Sequence, residues 1–574
     1  MFRGPSIKQP TSTNHIIVPS RFPSWCNIIP YTTEVTCISP GESACIAKVN
    51  PGTIVSEILF GQAYYLRFDP KLYENMQPYP PLGCLYAAAY LRERDFEVAV
   101  FDAMLADSES RWASALEAHQ PKYTILYEDN FNYLSKMCLL RMRSAAFTMI
   151  KMAKAQGCTV IVCGSDASDH VDKYMGEGAD YILIGEGEET LGVLMDVLYG
   201  RENLSLSQIK GLAFKEELKT SPSKEPLIQI GQRRKVIKDL NGLPRPAWDL
   251  IDIEAYRKIW LERHGYFSMN MVTTRGCPYH CNWCAKPIWG QRYNVRDATL
   301  VAEEMHYLKE TYQAEHIWFA DDIMGLKPGW FRQLASELEN RRVELPFKCL
   351  SRADLMLRGD TVDALASAGC EIIWLGAESG SQKILDAMDK GTKVEEIYEA
   401  TKQLQAAGIR VAFFLQFGYP GETFEDIQLT LKMVRECAPD EIGISVSYPL
   451  PGTKFYDAVK KQLSDKQNWT DSADLDMMYR GTYVTDFYRQ LHTVVHKEFK
   501  ALQSLRYFKG AVRKPNRLKK RDLRRAVGMV YRATSLPLAW KKLWSLSKIP
   551  NEGLGPLPTI MSHEEAAIPS PQND

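Results

Sequence analysis

The chain has 574 residues, 45% hydrophobic and 24% charged. That is too long for one ordinary core, and two main domains with appendages are expected. Three classes are set aside: no apolar run nears the roughly 20 residues that cross a bilayer, the opening MFRGPSIKQPTSTNHIIVPS lacks a signal-peptide core, so a cytoplasmic location is expected, and thirteen scattered cysteines are not a disulfide framework.

Residues 1–50 are rich in Pro, Ser and Thr without a sustained period and read as an irregular leader. Over 51–200, the short runs TIVSEILFG, EVAVFD, YTILYE, TVIVCG and DYILIG alternate with helical segments such as PLGCLYAAAYLRERD. This alternation predicts an α/β domain with an open, doubly wound parallel sheet of the flavodoxin or Rossmann kind. Cys158 and Cys163 flank the run TVIV and read as small buried side chains. Ligands of such sheets lie beyond the carboxyl ends of the strands. Residues 201–250 are polar and then Pro-rich, a linker stiffened by Pro244 and Pro246.

Over 251–460 the alternation resumes with six candidate strands: 268–275, 316–322, 347–354, 371–379, 410–420 and 441–450. Six βα units do not close an eight-stranded barrel, so a partial (βα)6 barrel is predicted, with its chemistry at the strand C-termini. Arg275, Asp321, Asp322, Ser351, Arg352, Glu378, Ser379, Gly418 and Tyr419 fall there. So does TTRGCPYHCNWCAKP, which spaces Cys277, Cys281 and Cys284 as CxxxCxxC. A structural zinc wants four ligands, and His280 is the one nearby candidate for the fourth. A disulfide leaves one thiol over. A cubane iron–sulfur cluster takes one thiolate per iron, so three cysteines leave one iron open. Zinc and an inert trio stay as alternatives.

Residues 461–550 read as a helical C-terminal region. Between Arg506 and Lys548 there are fourteen Lys/Arg against one acid, Asp522, with apolar residues at helical spacing. Such a segment either lies on an anionic membrane surface or is a solvated appendage packed on the main body. Residues 551–574 read as a disordered tail.

The cysteine motif, with Trp283 before its last cysteine, resembles the signature of the radical S-adenosylmethionine (SAM) superfamily, and the likeness extends over about 265–460. The resemblance implies a 4Fe-4S cluster on Cys277, Cys281 and Cys284. Its open iron would bind the amino and carboxylate groups of SAM, which is cleaved to methionine and a 5′-deoxyadenosyl radical. It also implies SAM contacts from Trp283, Asp321, Asp322, Ser351, Arg352, Glu378, Ser379, Gly418 and Tyr419. For Asp322 and Glu378 the competing reading is helix N-capping.

PYPPLGCLYAAAYLRERDFEVAVFDA, GADYILIGEGEETL and LNGLPRPAWDL resemble the cobalamin-binding branch of that superfamily, which includes class B methyltransferases and the anaerobic magnesium-protoporphyrin ester cyclase. This implies cobalamin, held by Pro80, Leu82, Glu128, Asp129, Asn130, Gly164, Ser165, Gly185, Glu186, Gly187 and Glu188. The DxHxxG motif that supplies a lower histidine ligand is absent, and His170 lies on a different loop. A domain that keeps the fold without the ligand is the alternative. The implied reaction is methylation of an unactivated carbon of a small molecule or lipid, fed by an external flavodoxin- or ferredoxin-type electron donor. Radical oxidative cyclisation or rearrangement, or a non-catalytic cobalamin-binding regulator, are the other readings. No nucleic-acid module is recognised. Tyr64, Phe267, Trp289, Tyr293 and Tyr448 either line a substrate pocket or are core aromatics.

Overall fold

Short apolar runs, the first five each followed by a helix, build a seven-stranded sheet in the first part of the chain: β1 (Ile58–Gly61), β2 (Val98–Val100), β3 (Tyr123–Tyr127), β4 (Thr159–Cys163), β5 (Tyr181–Leu183), β6 (Leu212–Glu216) and β7 (Leu227–Ile230). The computed structural model describes residues 56–551 except 138, 217–226, 285–287, 464–465 and 513–519. The leader 1–50, the tail from 552 onward, and parts of the candidate strand 53–61 and of the basic segment 506–548 lie outside the described residues. The strand order is β2-β1-β3-β4-β5-β6-β7, with β1 to β5 parallel. This is the expected doubly wound sheet, and its order reverses between β1 and β3, where such sheets receive ligands. Cys158 and Cys163 are buried as expected. One difference is plain. The stretch read as linker contributes β6 and β7, which pair antiparallel and extend the sheet.

A crossing of buried Ala247 and Trp248 leads to the helix Ile253–His264. Asp252 caps that helix by accepting from the Ala255 N–H, and Gly265 ends it at φ +80°. The second sheet follows: β8 (Ser268–Met271), β11 (His316–Phe319), β12 (Phe347–Ser351), β13 (Cys370–Glu378), β14 (Arg410–Phe417) and β15 (Glu441–Val446), all parallel in the order β15-β14-β13-β12-β11-β8. The six expected strands form an open half barrel. The outer helices press apolar faces on it; Trp330–Asn340, for example, buries Trp330, Phe331, Leu334 and Leu338 from one side. Two short strands, β9 (Thr274–Arg275) and β10 (Asn294–Val295), form a separate antiparallel ribbon.

The edge strand β8 is covered by the first sheet's own loop. Tyr79 and Ser268 hydrogen-bond through their hydroxyls at 2.9 Å, and the Asn270 amide donates to the Pro80 carbonyl at 2.9 Å. This uses Pro80 as a joint. Leu82 is fully buried at the start of the helix Leu82–Arg92. The described residues form one compact unit. After β15, residues 466–480 bridge both sheets: Asn468 donates to the Met137 carbonyl, Trp469 accepts from the Leu140 N–H, and the Tyr479 hydroxyl donates to the Gly418 carbonyl. The helices Thr485–Val512 and Lys520–Leu546 then pack along each other, and the first leans on Phe424–Cys437. Among the described residues no helix is long and apolar enough to cross a membrane.

Candidate active site

The cysteine loop hangs from the β9–β10 ribbon, which closes its neck by pairing Arg275 with Asn294 and Thr274 with Val295. Glycine is required at the first step. Gly276 sits at φ +84°, and a Cβ there would come within 2.3 Å of the Arg292 carbonyl oxygen. Asn282, between the second and third cysteines, fastens the loop's far side. Its N–H donates to the Met388 carbonyl, its amide to the Ala387 carbonyl, and its side-chain oxygen accepts from the Tyr419 hydroxyl at 2.7 Å. Trp283 packs against the buried group of Tyr419, Phe455 and Tyr479.

Cys277, Cys281 and Cys284 are partly buried, and none is in a disulfide. Among the described residues no three His, Cys, Asp or Glu side chains converge on one ion's position. A cubane takes each of three thiolates on a different iron. Cations stand beside it. The Arg352 guanidinium approaches Cys281 Sγ at 4.0 Å, lies 3.7 Å over the Tyr279 ring, and is braced by Asp354 and Thr392. Lys390 pairs with Glu378 at 3.0 Å, both side chains 7% exposed. Burial disfavours the Lys390 charge, but Glu378 and then Cys281 raise its pKa above the ordinary lysine value. Glu378 ends β13 at φ +57°, a strained conformation for a non-glycine residue, where the register shifts between Gly376 and Glu378. The donor set fits an anionic cluster: three thiols, with buried cations facing them.

The other candidate SAM residues divide by use. Asp321 is fully occupied by the scaffold, accepting from the Thr273 and Thr274 N–H groups and the Thr273 hydroxyl, each at 2.7 Å. Burial pushes its pKa up to about 6, against the lowering effect of those bonds. Asp322 forms an ion pair with Lys136 from the first sheet's side. Ser351 donates to the Met324 carbonyl, Ser379 accepts from the Ser381 N–H, and Gly418 donates to Glu422. Neither Asp322 nor Glu378 caps a helix. Gly329 and Ser381 hold those positions. The side chains of Trp283, in the cysteine loop, and of Gln416, near the end of β14, each keep a buried polar atom without a partner that a ligand could supply.

The first sheet meets this loop directly. Arg275, two residues before Cys277, is 3% exposed and reaches Glu186 at 2.5 Å and Glu188 at 2.8 Å. Its guanidinium lies 4.9 Å from the Trp289 ring and 5.4 Å from the Phe131 ring. These two carboxylates, read from sequence as cobalamin contacts, instead form a joint between the sheets. The glycines beside them serve the same packing. A Cβ on Gly187 would sit 2.5 Å from Cys163 Sγ, and Gly185 faces the Ile288 carbonyl. Tyr133 begins the helix Tyr133–Met137 and is 56% exposed. Cys284 and Glu378 are near enough to act on its phenol electrostatically. It stands in the space between the two sheets' carboxyl ends.

At the β1/β3 switch point, Glu128 accepts from the Ala63 N–H at 3.1 Å, and Asp129 accepts from Gly83 and Phe131. Asn130 Oδ1 and the Tyr64 hydroxyl are buried without partners. Gly164 places its Cα against Glu128, where a Cβ would lie 3.0 Å away, and Ser165 donates to the Lys136 carbonyl. His170 lies 3.7 Å from Asp166. At the switch point Asn130 and Tyr64 keep polar atoms that a ligand could meet, whereas Glu186 and Glu188 are engaged by Arg275. Phe267 is fully buried at the start of β8, the end opposite the cysteines; Trp289 stacks on Phe131, and Tyr448 packs on Trp469.

Burial pushes Glu128 up to about 8 from 4.5, outweighing its bond from Ala63. Between those pH values the native state holds a proton that the unfolded chain has released. Stability contributed by this group is thus present below about pH 4.5 and lost as pH rises through about 8. Glu128→Gln is expected to flatten stability across that window and to raise it at the upper end by on the order of a few kcal/mol. Urea unfolding at a series of pH values reads this, and an unchanged pH profile would refute it.

The profile of the Radical SAM superfamily matches residues 271–434. An uncharacterized methyltransferase of Pyrococcus horikoshii is 25% identical over 73% of this chain and 87% of its own length. The anaerobic magnesium-protoporphyrin IX monomethyl ester cyclase of Synechocystis is 23% identical over 66% of this chain and 72% of its own. Among solved structures, the radical S-adenosylmethionine methyltransferase TsrM of Kitasatospora setae, with cobalamin and a [4Fe-4S] cluster bound, superposes with a TM-score of 0.54 at 20% identity, covering 71% of this chain and 77% of that one.

Proposed function

We propose that this chain, whose residues 271–434 match the Radical SAM superfamily profile, is a cobalamin-dependent methyltransferase that adds a methyl group to an unactivated carbon of a small molecule or lipid. The observation that carries this is the junction: Arg275 joins the root of the cysteine loop to Glu186 and Glu188 at the end of β5, so both sheets present their carboxyl ends to one space. The similarity to a methyltransferase over 73% of the chain supports the reaction class. The cluster would supply the electron that cleaves SAM, and cobalamin would carry the methyl group. Cys277, Cys281 and Cys284 would hold the cluster, while Asn130 and Tyr64 offer unmet polar atoms at the β1/β3 switch point. Arg352 places a positive charge beside the Cys281 thiolate. Tyr133 lies where a substrate between the two sheets would touch it. An external flavodoxin- or ferredoxin-type donor completes the assignment.

A second reading, radical oxidative cyclisation, draws on the similarity to the cyclase. One experiment separates them. The anaerobically reconstituted protein, loaded with cobalamin and reductant, is incubated with SAM and candidate substrates, and both nucleoside products are quantified. Methylation requires S-adenosylhomocysteine and 5′-deoxyadenosine in about equal amounts, because methyl supply and hydrogen abstraction each use one SAM. Turnover with 5′-deoxyadenosine alone would favour the cyclase reading and sink methyl transfer.

A further inference from the structure

The helix Lys520–Leu546 turns one face inward and leaves the other without a partner. Ala539 and Leu543 are buried against the body of the protein, with Leu536 and Trp540 partly buried beside them. On the outward face Leu523, Val527, Val530, Tyr531 and Leu538 are each more than half exposed, Leu523 and Leu538 at 71%. At 3.6 residues per turn these five lie within about 100° of arc, an apolar stripe over four turns or so, interrupted by Thr534. Trp544, 57% exposed, flanks its far end. A soluble surface rarely shows such a row without a use for it.

Charge identifies the use. Arg524, Lys541 and Lys542 are exposed along the stripe, and Lys548 folds over Trp544 at 3.4 Å. The single acid of the segment, Asp522, is 5% exposed and turned inward. The outward face is thus apolar over about four turns, with Arg524 and Lys542 along one margin and Lys541 beyond its C-terminal end, and carries no carboxylate. Long basic side chains at the border of an apolar stripe can bury their stems and keep their charges in a headgroup layer. We propose that the helix Lys520–Leu546 seats this face flat on an anionic phospholipid surface. A second copy is a poorer occupant, because a two-fold contact would set the same cations against each other. The helix is too polar to cross a bilayer, consistent with a surface seat. The proposal does not depend on the methyl-transfer reading.

The test is co-sedimentation of the full-length protein with phosphatidylcholine vesicles, with and without about one-third phosphatidylglycerol. The wild type is expected to bind the anionic vesicles, and to release when the salt is raised about tenfold. Leu523→Ser/Val527→Ser/Leu538→Ser changes only exposed side chains, so folding is retained, and it is expected to weaken binding about tenfold or more. Equal binding by wild type and variant would overturn the proposal, as would no binding by the wild type. So would a concentration-dependent dimer that the triple variant loses, which would identify a second copy as the occupant. Vesicle binding that appears only in a chain ending at Asn551 would assign the face to residues 552–574 instead.

Discussion

Arg275→Met is expected to cost about 3–5 kcal/mol of stability, because it leaves Glu186 and Glu188 buried without their counter-charge. Glu186 is 6% and Glu188 1% exposed, and one oxygen of Glu188 already lacks a partner, so water does not make good the loss. Methionine keeps much of the contact with Trp289 and Phe131, which confines the change to charge. The triple variant Arg275→Met/Glu186→Gln/Glu188→Gln should recover most of the loss, since a buried ion pair is often no better than neutral groups of its shape. Urea midpoints of the three proteins decide this. A single variant within about 1 kcal/mol of wild type would mean that the joint contributes packing alone. The same substitution should also lower cluster occupancy, because Arg275 roots the loop in β9.

Replacing any one of Cys277, Cys281 and Cys284 by alanine is expected to abolish reductive cleavage of SAM, by on the order of a thousandfold or more, while leaving the fold intact. On the proposed assignment each thiolate is one of three protein ligands to the cluster, and a lost ligand would leave a second iron bare. The side chains are partly buried and lie on a loop held elsewhere, by the ribbon and by Asn282, so the scaffold does not depend on them. Iron and sulfide content, 5′-deoxyadenosine formation and thermal unfolding are measured together. Full iron content in all three variants would refute the assignment. Asn282→Ala makes a useful contrast: it keeps every thiol and removes the far-side fastening.

The two sheets were legible in the sequence because apolar runs punctuated by helices have few other uses. The cysteine loop was legible because three thiols at CxxxCxxC have few either. β6 and β7 escaped because LAFKE and LIQI are short and lie in polar surroundings, where an antiparallel edge looks like linker. Asp321 illustrates a deeper limit. An aspartate at a strand end reads as a ligand contact, but whether it faces the ligand or staples two threonines is set by backbone 48 residues away. Glu186 and Glu188 are a like case, since their partner Arg275 belongs to another sheet. Lys390 gave a faint signal, a lysine before the left-handed Gly391, and Tyr133 gave none.

The Arg275 contact also has a direction in time. Residues 56–230 leave the ribosome first and carry a complete seven-stranded sheet, so this part can fold while the rest is still being made. Glu186 and Glu188 then wait, without a cation, for an arginine almost ninety residues later. Until it arrives the nascent sheet holds an electronegative socket, and filling that socket sets the root of the cysteine loop before β11 and the later strands exist. In that order of synthesis the first sheet is a ready surface on which the root of the cysteine loop can dock.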